Sequence, residues 1–341
     1  METDELFEQL IDEEHLSFER ARGTMDKIME GEWDDAQIGA FLSLLRSKGE
    51  TSEEIAGFAR SMREHASTLT VGDSYRPLVD TCGTGGDTSD TINISTMSAI
   101  VASGMGVNVA KHGNRSVSSS CGSADLLEAL GVELELSPEQ VKESIEEVGM
   151  GFMYAPAFHK AMKHAIGPRK SLGIRTVINL LGPLTNPANA DRQLLGVFSE
   201  RWVRPVAEAL SELGVERALV VHGTDGLDEI SMSATTVYAE VTNGEVQEGE
   251  ITPKDFGESP IEMSDIASQG VEGNRDVARS LVEGEARPPV EKIIFANAGA
   301  VIYVAGEAES LAHGFERARE SVESGKAQES LDQLVDFTSR I

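Results

Sequence analysis

The chain has 341 residues, which suits two domains or one large one, and 40% of them are hydrophobic, enough for a packed core. It carries 58 acidic against 29 basic residues, a net charge of -29, and such a surface repels nucleic acid and anionic membrane. No apolar run approaches the roughly 18 residues of a membrane span, and the acidic Met1-Glu2-Thr3-Asp4-Glu5 start does not resemble a signal peptide, so a soluble cytoplasmic protein is expected.

The first seventy residues read as a small all-helical domain. Ile38, Phe41, Leu42, Leu44 and Leu45 recur at helical spacing and Gly49 follows as a stop. Thr51-Ser52-Glu53-Glu54 is a capping box that opens the next helix. The pattern changes near Val71-Gly72-Asp73, which divides a helical domain over 1–72 from an α/β domain over 73–341; helices from about 160 to 185 are expected to pack on the former.

In the second part Leu78-Val79-Asp80 reads as a short buried strand running into the loop Gly83-Thr84-Gly85-Gly86-Asp87. Residues 95–105 read as a helix, and Val107 to Ala110 as a strand ending at Lys111. Ser123 to Leu130 is helical with Gly131 as its stop, Val132 to Leu136 alternates like a strand, and Ser137-Pro138-Glu139-Gln140 starts a capped helix. Leu194 to Val197 and Ala218 to Val221 read as buried strands around a helix over 202–213. Thr236 to Val246 reads as a hairpin turning at Asn243-Gly244, and Pro289 to Val304 and the C-terminal stretch from Ala308 return to helix. This alternation predicts an α/β fold with a central mixed, mostly parallel sheet flanked by helices.

The polar motifs cluster at predicted strand ends, where α/β proteins place ligands. The glycine loop lacks the Lys-Ser/Thr of a nucleotide P-loop and is not GxGxxG. Thr91, Asn93, Ile94, Ser95 and Thr96 follow it and offer donors to phosphate at a helix N-terminus. Lys111-His112-Gly113-Asn114-Arg115 and the hydroxyls of Ser116, Ser118, Ser119 and Ser120 form a second phosphate-binding piece. The span 80–123 holds three acids and two bases, whereas 1–70 holds 17 acids and 7 bases, so the acid excess lies outside the motifs. Asp228-Glu229 after a strand suits magnesium. Arg169, in the cationic stretch from Phe158 to Lys170, is a candidate for a substrate carboxylate. His159 and His164 are five residues apart and do not share a helix face as a metal pair would. Cys82 and Cys121 read as packed thiols.

With Leu172-Gly173-Ile174-Arg175-Thr176 and Leu181-Gly182-Pro183-Leu184-Thr185-Asn186-Pro187, these motifs resemble the anthranilate phosphoribosyltransferase family in order and spacing, nearly end to end. The resemblance implies transfer of the phosphoribosyl group of phosphoribosyl pyrophosphate to anthranilate in tryptophan biosynthesis, with Mg2+ as cofactor and a homodimer formed through the helical domain. It implies donor contacts from Gly83, Gly86, Asp87, Thr91, Asn93, Ile94, Ser95, Thr96, the run Lys111, His112, Gly113, Asn114, Arg115, Ser116, Val117, Ser118, Ser119, and Ser123. Magnesium would use Ser95, Asp228 and Glu229; anthranilate would meet Gly83, Asn114 and Arg169, with His112 and His159 nearby. Lys111, Asn114 and Arg169 are the implied catalytic set. Ser120, Lys160 and Pro168 depart from residues common in the family. A nucleoside phosphorylase-like enzyme and a non-catalytic nucleic-acid-binding relative are the alternatives; the charge of -29 and the acidic pair speak against the second. The same charge suggests a halophilic source.

Overall fold

The computed structural model describes residues 3–86, 89–116 and 120–341. The chain opens with α1 (Thr3–Ile11), α2 (Phe18–Met29), α3 (Asp35–Lys48) and α4 (Ser52–Glu64). Local chemistry sets their ends. Asp34 with Gln37, and Thr51 with Glu54, form reciprocal capping boxes, and Gly49 closes α3 at a φ of 88°. Their apolar faces meet around Phe41, which stands edge-on to Trp33 at 5.5 Å and to Phe58 at 5.7 Å. Lys48 and Glu54 form a fully buried ion pair at 2.9 Å, and the other carboxylate oxygen of Glu54 accepts the Leu16 N–H at 2.8 Å. That extra bond matters, because a buried ion pair stabilises only when its remaining lone pairs are satisfied.

The α/β part runs β1 (Val79–Gly83), α5 (Ile94–Ser103), β2 (Val109–Gly113), α6 (Ser123–Leu130), α7 (Pro138–Val148), β3 (Met150–Tyr154) and α8 (Ala155–Phe158). It continues through α9 (Lys163–Leu172), α10 (Ile178–Leu181), β4 (Arg192–Gly196), α11 (Val203–Glu212), β5 (Arg217–Gly223), β6 (Thr236–Thr242) and β7 (Glu245–Ile251). Four helices close the chain: α12 (Gly270–Val282), α13 (Pro288–Ala305), α14 (Leu311–Glu323) and α15 (Lys326–Arg340). The seven strands form one sheet in the order β3-β2-β1-β4-β5-β6-β7. The first five are parallel; β6 and β7 are antiparallel and turn at Asn243 and Gly244, with φ of 50° and 89°. Paired positive φ values are what a two-residue hairpin turn requires.

Strand periodicity divides the core. Leu194 and Leu219 join one face with α5, α6 and α12 to α15, while the neighbouring Leu195 and Val220 join the other with α11, the four N-terminal helices and the segment Val177–Leu184. The helical bundle therefore rests on the β4–β5 side of the sheet, through a shared apolar cluster.

Two expectations change. Val132 to Leu136 alternates in burial but forms no strand: the Glu133 carboxylate accepts the Leu134 and Glu135 N–H groups, and the Thr338 hydroxyl accepts the Glu133 N–H. Period-two burial shows where side chains go, not where backbone donors go. The strand expected to end at Lys111 instead runs to Gly113, so Lys111 and His112 are buried strand residues and the loop begins at Asn114.

Candidate active site

Successive connections leave β1 toward β2 and β3 on one side and reach β4 and β5 on the other. The strand order reverses between β1 and β4, and open α/β sheets place their ligand crevice at such a point, beyond the carboxyl ends of the strands. Gly83 and Gly196 are register partners at those ends. The loop after β5 folds back across both. A Cβ built on Gly83 would stand 2.3 Å from Asp228 Oδ2, and one on Gly196 would stand 1.5 Å from the Asp228 carbonyl oxygen. Glycine at both strand ends is thus a condition for bringing the acidic loop into the crevice.

The loop is pinned from several directions. The Gly85 N–H donates to Asp228 Oδ2 at 2.7 Å. Asn297 of α13 brackets Ile230, accepting its N–H and donating to its carbonyl, both at 2.9 Å. Asp225 accepts from the hydroxyls of Ser231 and Ser233. Asp228 and Glu229 keep 8% exposure each. Their oxygens, like the hydroxyl of Ser95, are hard donors of the kind magnesium takes, with one or two carboxylates and a shell filled by water and phosphate oxygens.

Gly85 and Gly86 adopt φ of 67° and 76°, the left-handed region that favours glycine. Asn93 caps α5 by accepting the Thr96 N–H at 3.1 Å, which places Ser95 and Thr96 in the first turn at the crevice. Beneath them Lys111 is fully buried and donates to the Thr81 carbonyl at 2.6 Å and to Ser95 Oγ at 3.2 Å. Asp80, also fully buried, is its charge partner and accepts from Asn186 Nδ2 at 2.8 Å and from the His112 N–H at 3.2 Å. Burial pushes the Asp80 carboxyl up; Lys111 and these N–H donors oppose it. Because every group facing Asp80 is a donor or a cation, we read the pair as ionised.

The second wall carries imidazoles and a guanidinium. His112 and His159 lie with ring centroids 4.9 Å apart and hydrogen-bond the main chain at Gly182 and Thr185. The Nε2 atom of each is buried without a partner among the described residues. Burial holds His159 down at about 4, and burial together with the neighbouring His159 holds His112 at about 3, against 6.5 for an ordinary imidazole. The unfolded chain therefore binds these protons first. Their contribution to stability is complete above pH 6.5 and is lost as pH falls toward about 4 for His159 and about 3 for His112. We expect His159→Phe to flatten the fall in melting temperature across that interval; a slope identical to wild type would remove the assignment. Arg169 on α9 is half-buried, which lowers its pKa, and no ion-pair partner among the described residues offsets this.

Other expected site residues sit as follows. Thr91 bridges to Ala267, Ile94 is buried, and Ser123 opens α6 beside Gly113. Asn114 accepts the Arg115 N–H at 2.7 Å. Arg115 forks onto Glu128 at 2.7 and 2.8 Å and also meets Asp125, which accepts the Ser116 N–H. Its charge is directed at α6 rather than at the glycine loop. Asp87, Val117, Ser118 and Ser119 lie outside the described residues. Burial raises both thiols, Cys121 to about 12, so neither is a poised nucleophile. Asn274 of α12 was not legible beforehand: fully buried, it accepts the Asn93 N–H at 2.7 Å and donates to Ser268 Oγ at 2.8 Å. A lone asparagine in an amphipathic helix gives no signal in the sequence.

Residues 75–328 match the model of the glycosyl transferase family a/b domain, and residues 4–66 that of the family's helical bundle domain. An anthranilate phosphoribosyltransferase of Haloarcula marismortui is 53% identical, over 97% of this chain and 99% of its own. The crystal structure of the enzyme from Thermus thermophilus superposes with a TM-score of 0.91 at 45% identity, covering 98% of this chain and 99% of that one. The Saccharomyces cerevisiae enzyme, 27% identical, was solved in complex with PRPP and Mg, with a TM-score of 0.90 and coverage of 99% and 98%. It was also solved with 4-fluoroanthranilate, with a TM-score of 0.88 and coverage of 98% and 97%.

Proposed function

The chain belongs to the anthranilate phosphoribosyltransferase family, and from that premise we propose how its crevice divides the work of the reaction. The enzyme transfers the phosphoribosyl group of phosphoribosyl pyrophosphate to the amine of anthranilate, releasing pyrophosphate, in tryptophan biosynthesis. One observation carries the assignment of the donor side: the glycine loop, the α5 N-terminus and the Asp228–Glu229 loop converge at the sheet's switch point, tied by the 2.7 Å bond from Gly85 to Asp228.

We assign the donor's phosphates to Gly83, Gly86, Asp87, Thr91, Asn93 to Thr96 and the Lys111–Ser119 run with Ser123. Asp228, Glu229 and Ser95 would hold magnesium, which when bound supplies positive charge toward pyrophosphate oxygens. As the bond to ribose C1 breaks, positive charge grows on the sugar and negative charge on the leaving group. The first-turn N–H groups of α5 and the Lys111–Ser95 pair meet the negative charge with donors already oriented. The acceptor is itself an amine nucleophile, so no enzyme nucleophile is required; its placement supplies the rate.

The acceptor side is assigned to Asn114, Arg169, His112 and His159. Arg169, half-buried with no described acid partner, suits the anthranilate carboxylate, and the imidazoles, held neutral, line an uncharged slot for the ring. Loss of anthranilate fluorescence on adding phosphoribosyl pyrophosphate and Mg2+ tests the reaction; no loss with both present would refute it. Arg169→Ala is expected to raise the KM for anthranilate about tenfold or more and leave the donor KM near wild type. Equal changes in both constants would sink this role.

Exposed Ile11, Ile166 and Ile174, at 56%, 47% and 52%, support a homodimer, and the charge of -29 supports a protein suited to high salt. Sedimentation and thermal melting in rising KCl test both. A monomer would end the first reading, and full stability and activity without added salt the second.

A further inference from the structure

Arg175 belongs to the Leu172–Thr176 stretch, which the assignments above leave without a task. It sits in the turn between α9 and α10, and its backbone is held on both sides. Gly173 closes α9 at a φ of 64°, and Asn179 Oδ1 accepts the Thr176 N–H at 3.0 Å. From this fixed base the guanidinium reaches across the crevice to the β1 loop. A Cβ built on Gly86 would stand 3.7 Å from Arg175 Nη1. The guanidinium carbon lies 4.7 Å from the centre of the Phe198 ring, and the Phe198 N–H donates to Thr84 Oγ1 of the same loop at 3.0 Å.

Two features of this arginine point to an anion. The chain holds two acids for every base, yet among the described residues the partner recorded for Arg175 is an aromatic face, not a carboxylate. Stacking also leaves the edge N–H donors of a guanidinium open, and that edge is the part that binds phosphate bidentately. Arg115, which the motif offered for phosphate, is instead engaged with Glu128 and Asp125.

We propose that Arg175 is a further donor-binding residue: stacked on Phe198, it contacts the diphosphate of the bound donor from the wall opposite the β2 loop. This rests on the donor-side reading above. It also separates the two arginines of this wall, giving Arg169 to the acceptor carboxylate and Arg175 to the leaving group. Arg175 is exposed, so its replacement is expected to leave the fold intact.

Calorimetric titration of magnesium pyrophosphate into the full chain tests it. Arg175→Gln is expected to weaken binding about tenfold or more, with the melting temperature and the affinity for anthranilate near wild type. Arg175→Met keeps an apolar stem against Phe198 and removes the charge; the same loss is expected, which separates anion binding from a packing role. In turnover, the KM for phosphoribosyl pyrophosphate should rise while that for anthranilate holds. Pyrophosphate affinity within about twofold of wild type in both variants would overturn the proposal, and so would an equal loss of anthranilate affinity. Wild-type chain that binds magnesium pyrophosphate but does not consume anthranilate would refute the proposed reaction and leave Arg175 standing. Wild-type chain that fails to bind pyrophosphate would overturn both.

Discussion

Gly196→Ala is expected to lower kcat about a hundredfold and to cut the melting temperature by about 5 °C or more. The reason is where the new methyl would go. It would lie 1.5 Å from the Asp228 carbonyl oxygen and 2.3 Å from its carbonyl carbon, and backbone atoms cannot rotate away. The loop from Asp225 to Glu229 would have to lift, yet Asn297 and Gly85 hold it in place. A displacement near 1 Å at a reacting centre is enough for a loss of about a hundredfold, and overpacking of this kind costs about 3 kcal/mol or more. Gly83→Ala makes the useful contrast. Its methyl would meet Asp228 Oδ2 at 2.3 Å, the end of a side chain that can turn. That variant should stay near wild type in melting temperature while losing activity and needing more Mg2+. If Gly196→Ala kept both activity and stability, the loop would not be seated on β4 as described.

The difference between the two glycines shows what a sequence can and cannot display. The helical bundle was legible because its instructions are local: Asp34 with Gln37, Thr51 with Glu54, and Gly49 all act within one turn. The Asn243-Gly244 turn was legible for the same reason. The site motifs were legible as residue types, and the structure brings the glycine loop, the α5 cap and the Asp228–Glu229 loop to one crevice. What stayed hidden was competition between partners. Nothing in the run Lys111 to Arg115 says that Arg115 meets Glu128 before any phosphate, or that Glu133 captures the donors a strand would have used. Hidden too were long-range pins: Asn186 reaches Asp80 from 106 residues away, and Asn274 reaches Asn93 from 181. Such residues carry no motif because their meaning depends on what the fold sets beside them.

Lys111→Met is expected to destabilise the protein by about 3–5 kcal/mol, because it leaves the Asp80 carboxylate buried without its cation. Methionine fills similar volume, so the loss isolates charge from packing. Adding Asp80→Asn should then restore part of the stability, the rest being withheld because its NH2 faces the Asn186 donor. An asparagine there can still accept from the His112 N–H, and no uncompensated charge remains. Activity should not return with it. Lys111 donates to Ser95 Oγ at 3.2 Å under the α5 N-terminus, and Glu229 also feels its charge. The double variant keeps a folded crevice that lacks the cation beneath the leaving group, so kcat should remain about a hundredfold low, the size of losing one oriented stabilising donor. Urea unfolding of the wild type, both single variants and the double variant measures the first part, and turnover at saturating substrates the second. A double variant that recovered stability and turnover together would reduce the pair to scaffolding. A Lys111→Met protein as stable as wild type would mean that Asp80 is protonated in the fold, and the buried charge assigned to this crevice would have to be withdrawn.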